Sequence, residues 1–241
     1  MLFRSTHMCF SASASFIAGA SLLAVGAVTV SKAAQKAELP FAMIPVLFGL
    51  QQIVEGVIWL GLRFDTPLLN TFMTQVYSLF SHVLWPIYVP LAVLLLEPVP
   101  WRRRTLSAFL WVGAAVGLYL LYTLVRFPVR AEAVGGHILY VSPHFYALVV
   151  MGAYLAATCI STFFSSYKAV VAFGVVALLS FIAAYGFYAL WFISVWCFFA
   201  AILSILIYVH LRYRNLGGFP APVAERAEVT AVTVTMPSTL R

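Results

Sequence analysis

AVVAFGVVALLSFIAAYGFYALWFISVWCFFAAILSILIYVH, residues 169–210, contains no Asp, Glu, Lys or Arg. A helix crosses ~30 Å of hydrocarbon with about 20 residues, so this run is long enough for two crossings. It reads as two membrane helices joined by a hairpin near Tyr185 to Tyr188. Lipid offers no water to unpaired backbone groups, which leaves helices and closed barrels as the only spanning structures. Barrel strands alternate in polarity over roughly ten residues, and an unbroken apolar run does not.

The rest of the chain has the same character. Of its 241 residues 63% are hydrophobic and 9% charged, against roughly 25% charged in a soluble domain. With a mean hydropathy of +1.01, the chain has lipid rather than water as its solvent. Further spans are expected over Cys9–Val30, Leu39–Leu62 with Pro40 in its first turn, Phe72–Leu96, Leu106–Arg126 and Pro143–Phe164. The expected fold is therefore all-α, a polytopic membrane bundle of about seven transmembrane helices occupying residues 9–211. Residues 1–8 form a short extension before it. Residues 212–241, with Gly217, Gly218, Pro220 and Pro222 and no helical periodicity, are expected to be a disordered tail. The longer connection Phe127 to Ser142 holds Arg130, Glu132, Gly135, Gly136 and His137.

A net charge of +7 would suggest nucleic acid in a soluble protein, but here the basic residues flank apolar spans and report topology instead. One face collects Lys32, Lys36, Arg102, Arg103, Arg104, Lys168, Arg212 and Arg214; the other has Arg4, Arg63, Arg126 and Arg130. The positive-inside rule assigns the richer face to the cytoplasm, which puts the N-terminus outside and the tail inside. The bilayer is the expected partner, with anionic headgroups drawn to Arg102, Arg103 and Arg104. A cleaved signal peptide fits the first span less well, because its apolar run exceeds the 7–15 residues of an h-region. Small residues at Ser11, Ser15 and Gly19, at Gly113 and Gly117, and at Gly152 and Ala156 are spaced for close helix contact, within one bundle or in a homo-oligomer.

The segments Met8-Cys9-Phe10-Ser11-Ala12-Ser13-Ala14-Ser15-Phe16, Gln51-Gln52-Ile53-Val54-Glu55-Gly56 and Trp196-Cys197-Phe198-Phe199-Ala200-Ala201 together resemble a family of uncharacterised bacterial multi-pass membrane proteins that open Met-Cys-Phe-Ser-Ala. The resemblance implies a bacterial cytoplasmic (inner) membrane and no particular activity. It also implies translation from Met8, after which methionine removal would leave Cys9 as a free N-terminal cysteine at the outer surface. The alternative use of Cys9 is as a small apolar residue at a helix start.

Ionisable side chains inside a span cost about 2.5–3.5 kcal/mol on insertion scales and mark functional positions by default. Two stand out. Gln51, Glu55 and Trp59 share one helix face at i, i+4, i+8, and Gln75, Ser78, His82 and Trp85 share another. Both helices are sequential and antiparallel, so the two polar faces are expected to meet in the outer half of the bilayer. With Trp59, Trp85 and Trp196 at its rim and Arg126 as a snorkelling counter-charge to Glu55, an outward-facing pocket for a small ligand or ion is the expected site. It would serve binding, sensing or transport. Interhelical hydrogen bonding without a ligand, in a structural membrane subunit, is one alternative. Another is a membrane-embedded metal-dependent hydrolase with zinc held by His82, Glu55, Cys197 and Cys9, although no HxxxH or HExxH pair supports it. The three cysteines form no CxxC. Retinal is not expected, since residues 169–210 contain no lysine for a Schiff base. A ceramidase-like zinc site is short of ligands, with Asp65 the sole aspartate and His210 far from His82.

Overall fold

The computed structural model describes residues 11–214. Ser11 opens α1 (Ala12–Ser31) by accepting the Ala14 N–H at 3.3 Å, which satisfies one of the donors left unpaired at a helix start. A 3-10 turn (Lys36–Glu38) leads into α2 (Leu39–Ala42) and α3 (Ile44–Arg63). The buried Glu38 carboxylate closes that turn by taking the N–H groups of Ala34 and Gln35. Pro40 and Pro45 each stand in a first turn, where a missing N–H costs nothing. Asp65, with φ 51°, reverses the chain before α4 (Pro67–Ser78), a π-helical turn (Leu79–Leu84) and α5 (Trp85–Leu96). After α6 (Pro100–Arg126) come β1 (Arg130–Val134) and β2 (His137–Val141), paired antiparallel with Val134 opposite His137. Gly135 and Gly136 make the two-residue turn at φ 61° and 82°, as a hairpin turn with two left-handed positions requires. The chain continues through α7 (Leu148–Thr158), a 3-10 turn (Ile160–Phe164), α8 (Lys168–Phe187), a single turn (Ala189–Trp191), α9 (Phe192–Leu203) and α10 (Ile205–Arg214).

Six of these helical stretches are long and apolar enough to cross a membrane: Ala12–Ser31, Lys36–Arg63, Pro67–Leu96, Pro100–Arg126, Lys168–Phe187 and Ala189–Val209. Leu148–Phe164 is a shorter apolar helical segment. Polarity is distributed inside out. Gln51, Gln52, Glu55, Thr74, Ser78, Ser81 and His82 are buried, while Leu68, Trp111, Leu118, Val125, Leu148, Val149 and Phe187 are exposed. Such an arrangement is unfavourable in water and suits a multi-pass membrane protein, whose outer faces meet lipid.

The structure divides residues 169–210 at Tyr188, as read from the sequence. The structure adds detail at three places. The connection Phe127 to Ser142 is a β-hairpin, a small strand element in an otherwise helical chain. Helices start earlier than their apolar runs, at Pro67 and Pro100, because each proline begins a first turn in which Asn70 or Arg102 to Arg104 sit beyond the apolar part. The last helix runs through Arg214, so the first three residues assigned to the tail are helical. Met8, Cys9 and the remainder of the tail lie outside the described residues.

Two of the three small-residue faces are occupied within the chain. Gly19 of α1 meets Gly49 and Ile53 of α3, and Gly117 of α6 meets Val83 and Ile87. Gly113 is tighter still: a Cβ there would run into the Pro86 carbonyl and approach Ala157 at 3.2 Å. Gly113→Ala is therefore expected to lower unfolding stability in detergent by about 2–3 kcal/mol, since the obstacle is backbone. Gly152→Ala, at a position with nothing within 4 Å, is the control expected to be silent in the same thermal melt.

Candidate functional site

The site is assembled from α3, α4, α9 and the β-hairpin. Glu55 is 2% exposed. Its Oε1 accepts the Ser194 hydroxyl of α9 at 2.6 Å and the Tyr140 hydroxyl of β2 at 3.4 Å. Gln52, one turn earlier, and Tyr77 of α4 stand against the same carboxylate without reaching hydrogen-bond geometry. The Tyr77 ring stacks on Tyr140 with centroids 4.5 Å apart and planes 1° from parallel. Cys197 completes the group beside Tyr77 and Gln51. Around the carboxylate there are thus hydroxyls, an amide and a thiol, and among the described residues no Lys or Arg pairs with it.

His82 faces elsewhere, and the π turn explains how. Pro86 has no N–H, and the Trp85 N–H bonds back to the Phe80 carbonyl, five residues away. The Ser81 carbonyl, released from that ladder, accepts the Tyr154 hydroxyl at 2.6 Å instead. His82 sits in this widened turn with Nδ1 2.8 Å from Ser81 Oγ and Nε2 2.9 Å from Ser142 Oγ, and its ring lies 4.9 Å from Phe145. A neutral imidazole has one donor and one acceptor nitrogen, and a hydroxyl can complement either. Glu55 and His82 share no hydrogen bond. Among the described residues the hairpin links them: its Tyr140 reaches Glu55, and Ser142, two residues on, reaches His82.

The other sequence-derived positions have separate roles. Gln51 Oε1 accepts the Trp85 indole N–H at 2.7 Å, and Trp85 stacks on Phe48 at 3.9 Å. Gln75 Nε2 donates to the Val129 carbonyl at 2.9 Å and so moors the base of the hairpin. Ser78 is buried with its hydroxyl unpartnered, beside Tyr77. Trp59 is buried one turn from Glu55, and Trp196 donates to the Ala177 carbonyl while stacking on Phe192. All three tryptophans are interior packing residues rather than a rim. Arg126 is exposed and forms no ion pair with Glu55. Among the described residues no group of three His, Cys, Asp or Glu is placed to hold a metal; Cys9 lies outside them.

Sequence reasoning missed Gln52, Tyr77, Tyr140, Ser142 and Ser194. Gln52 had a signal, as the second amide of a Gln-Gln pair inside an apolar span. Tyr140, Ser142 and Ser194 had none, since only the tertiary fold brings residues that far apart in sequence to Glu55 or His82.

The hairpin covers this polar interior and is clasped at its turn. The His137 ring packs 4.9 Å from Trp191 and 5.5 Å from Tyr188, and partial burial there pushes its pKa below the ordinary histidine value. On one side of the hairpin a cavity of about 460 Å³ is lined by Tyr140, Ser142, Tyr146 and Tyr185. On its other side a cavity of about 360 Å³ is lined by Asn70, Thr74, Arg130 and Glu132. The partners of Glu55 and His82 are thus in the wall of an opening cavity, while the two side chains themselves are sealed beneath.

No curated protein and no solved structure matches the chain. Residues 8–221 match the family described as "Family of unknown function (DUF6629)", and the chain belongs to that family.

Proposed function

We propose that this protein crosses a bacterial cytoplasmic membrane seven times, with the hairpin outside and Arg102 to Arg104 inside, and binds a proton or small cation at Glu55 in the service of sensing or transport. The seventh crossing is Leu148–Phe164. Glu97 bonds Ser166, which brings the turn after α5 and the turn before α8 together, and the hairpin packs at Trp191; this supports a reading in which the two turns share one membrane face and the hairpin lies at the other. The intervening segment has to connect the two faces, and its 17 residues are at the short end of the spanning range.

The observation that carries the binding reading is a carboxylate sealed among neutral groups. An uncompensated charge in an apolar interior costs several kcal/mol. Bonds from Ser194 and Tyr140 offset part of that cost and supply no positive charge. A proton or a hard cation does supply it, and Glu55, Ser194, Gln52 and the tyrosines are all oxygen donors of the kind such a cation takes. The hairpin cavities reach Tyr140, which bonds Glu55, and Thr74 of α4, and in this reading they open toward the outer face. A metal-hydrolase reading lacks a three-ligand group among the described residues.

The test is thermal unfolding of detergent-purified wild type and Glu55→Gln in sodium, potassium or choline chloride at matched ionic strength, from mildly acidic to mildly alkaline pH. A ligand present at a hundredfold excess over Kd stabilises by about 2.7 kcal/mol. Wild type is expected to show a shift of that order with one cation or with acidification, and the variant none. A wild-type response that is flat in all conditions, or identical in the variant, would sink the reading.

A further inference from the structure

The α4 face made by Asn70, Thr74, Tyr77 and Ser78 has the spacing i, i+4, i+7, i+8 and lies on one side of the helix. Each of the four has a buried side-chain oxygen without a hydrogen-bond partner: Asn70 Oδ1, Thr74 Oγ1, Tyr77 OH and Ser78 Oγ. More than nine in ten buried polar groups are normally satisfied, so four exceptions along one face form a concentrated feature rather than scatter. Thr74, Tyr77 and Ser78 are themselves at most 1% exposed.

The face has two defined ends. Asn70 and Thr74 line the cavity of about 360 Å³ beside Arg130 and Glu132. Tyr77 stands against the Glu55 carboxylate. The depths agree: Asn70 packs on Gly61, so α3 and α4 are in register there. Glu55 follows six residues inward from Gly61, Tyr77 seven inward from Asn70, and at ~1.5 Å per residue both lie about 10 Å deeper.

We propose, resting on the reading of Glu55 as a proton or cation site, that this face is the route by which protons reach Glu55 from the hairpin cavity. A hydroxyl accepts one hydrogen bond while donating another, so Thr74, Tyr77 and Ser78 pass a proton by exchange with single bridging waters, and Asn70 orients the first of them. A hydronium ion in the cavity gives up the proton and remains there as water, and the proton ends on a Glu55 carboxylate oxygen, neutralising it. No bare ion has to fit between packed side chains.

The experiment is infrared difference spectroscopy on the full chain in liposomes, following the carboxylic acid C=O band of Glu55, identified by its loss in Glu55→Gln, as the medium is changed to D₂O. In Thr74→Val, which keeps the shape and removes the hydroxyl, exchange of that band is expected to slow roughly tenfold or more. Thr74→Ser is expected to keep the wild-type rate. If Thr74→Val fails to fold, Ser78→Ala gives the same readout with the same expectation. A Glu55 band that exchanges at the wild-type rate in the folded hydroxyl-deleted variant overturns the route and leaves the binding reading standing. Absence of a protonated Glu55 band at any pH overturns protonation at Glu55 and the route with it.

Discussion

Glu55→Leu is expected to destabilise the protein by about 3 kcal/mol, whereas Glu55→Gln is expected to be as stable as wild type or more so. Leucine removes the acceptor of Ser194 and Tyr140, leaving two buried hydroxyls unpaired at roughly 1–3 kcal/mol each before any relaxation. Glutamine keeps an oxygen in nearly the same place and removes the burden of burying a charge. If wild type retains a side chain that costs stability, the retention is explained by the charge itself. Thermal melts of the three proteins in one detergent, without added metal cations, decide the point. A glutamine variant that melts as early as the leucine variant would show that Glu55 serves as interhelical glue whose exact geometry the fold needs.

The sequence made the membrane legible because a span is a local property. The run 169–210 announces two crossings by length and lack of charge, and the turn falls at Tyr188, where Gly186 and a tyrosine pair interrupt the aliphatic pattern. Gln51, Glu55, Gln75, Ser78 and His82 were equally visible, since any polar side chain stands out against so apolar a background. Their mutual arrangement was not. Helix-face arithmetic assumes 3.6 residues per turn throughout, and the π turn at Leu79–Leu84 breaks that assumption at His82. The hairpin is a different case. Arg130 to Val141 does carry a local signal, the Gly135-Gly136 pair between two short runs, and at positive φ angles it makes the strand pair, but that signal does not say that Tyr140 and Ser142 come to lie over two helices.

That hairpin also changes the meaning of the buried residues. Two polar side chains on successive helices would ordinarily be read as a pair. Here each is engaged by a hydroxyl from one strand end, so any movement of the hairpin alters both environments together. Gln75 at its base and the His137 clasp at its turn are the contacts that would have to yield.

Glu97→Ala is expected to cost about 3 kcal/mol or more, at the opposite end of the bundle. From sequence Glu97 marks only where a span stops. In the structure it is 1% exposed and serves two turns at once. Its Oε1 accepts the Val99 N–H at 3.1 Å and the Ser166 hydroxyl at 2.5 Å, and its Oε2 accepts the Ser166 N–H at 2.6 Å. Alanine leaves two backbone N–H groups unsatisfied, and hydrogen bonds to a charged acceptor are worth about 1.5–3 kcal/mol each, with losses in one cluster summing to less than their parts. Ser166→Ala removes only the hydroxyl bond and is expected to cost about 1 kcal/mol. Arg103, which donates to the Leu94 and Glu97 carbonyls, remains in place in both variants and holds the start of α6. Thermal melts combined with protease cleavage at Glu97–Val99 and Ser165–Tyr167 would separate the cases: the alanine variant at Glu97 should melt earlier and be cut at both turns. Wild-type melting and protection in that variant would mean that the turns are held by their helices alone, and would remove the shared-face contact on which the seventh crossing is argued.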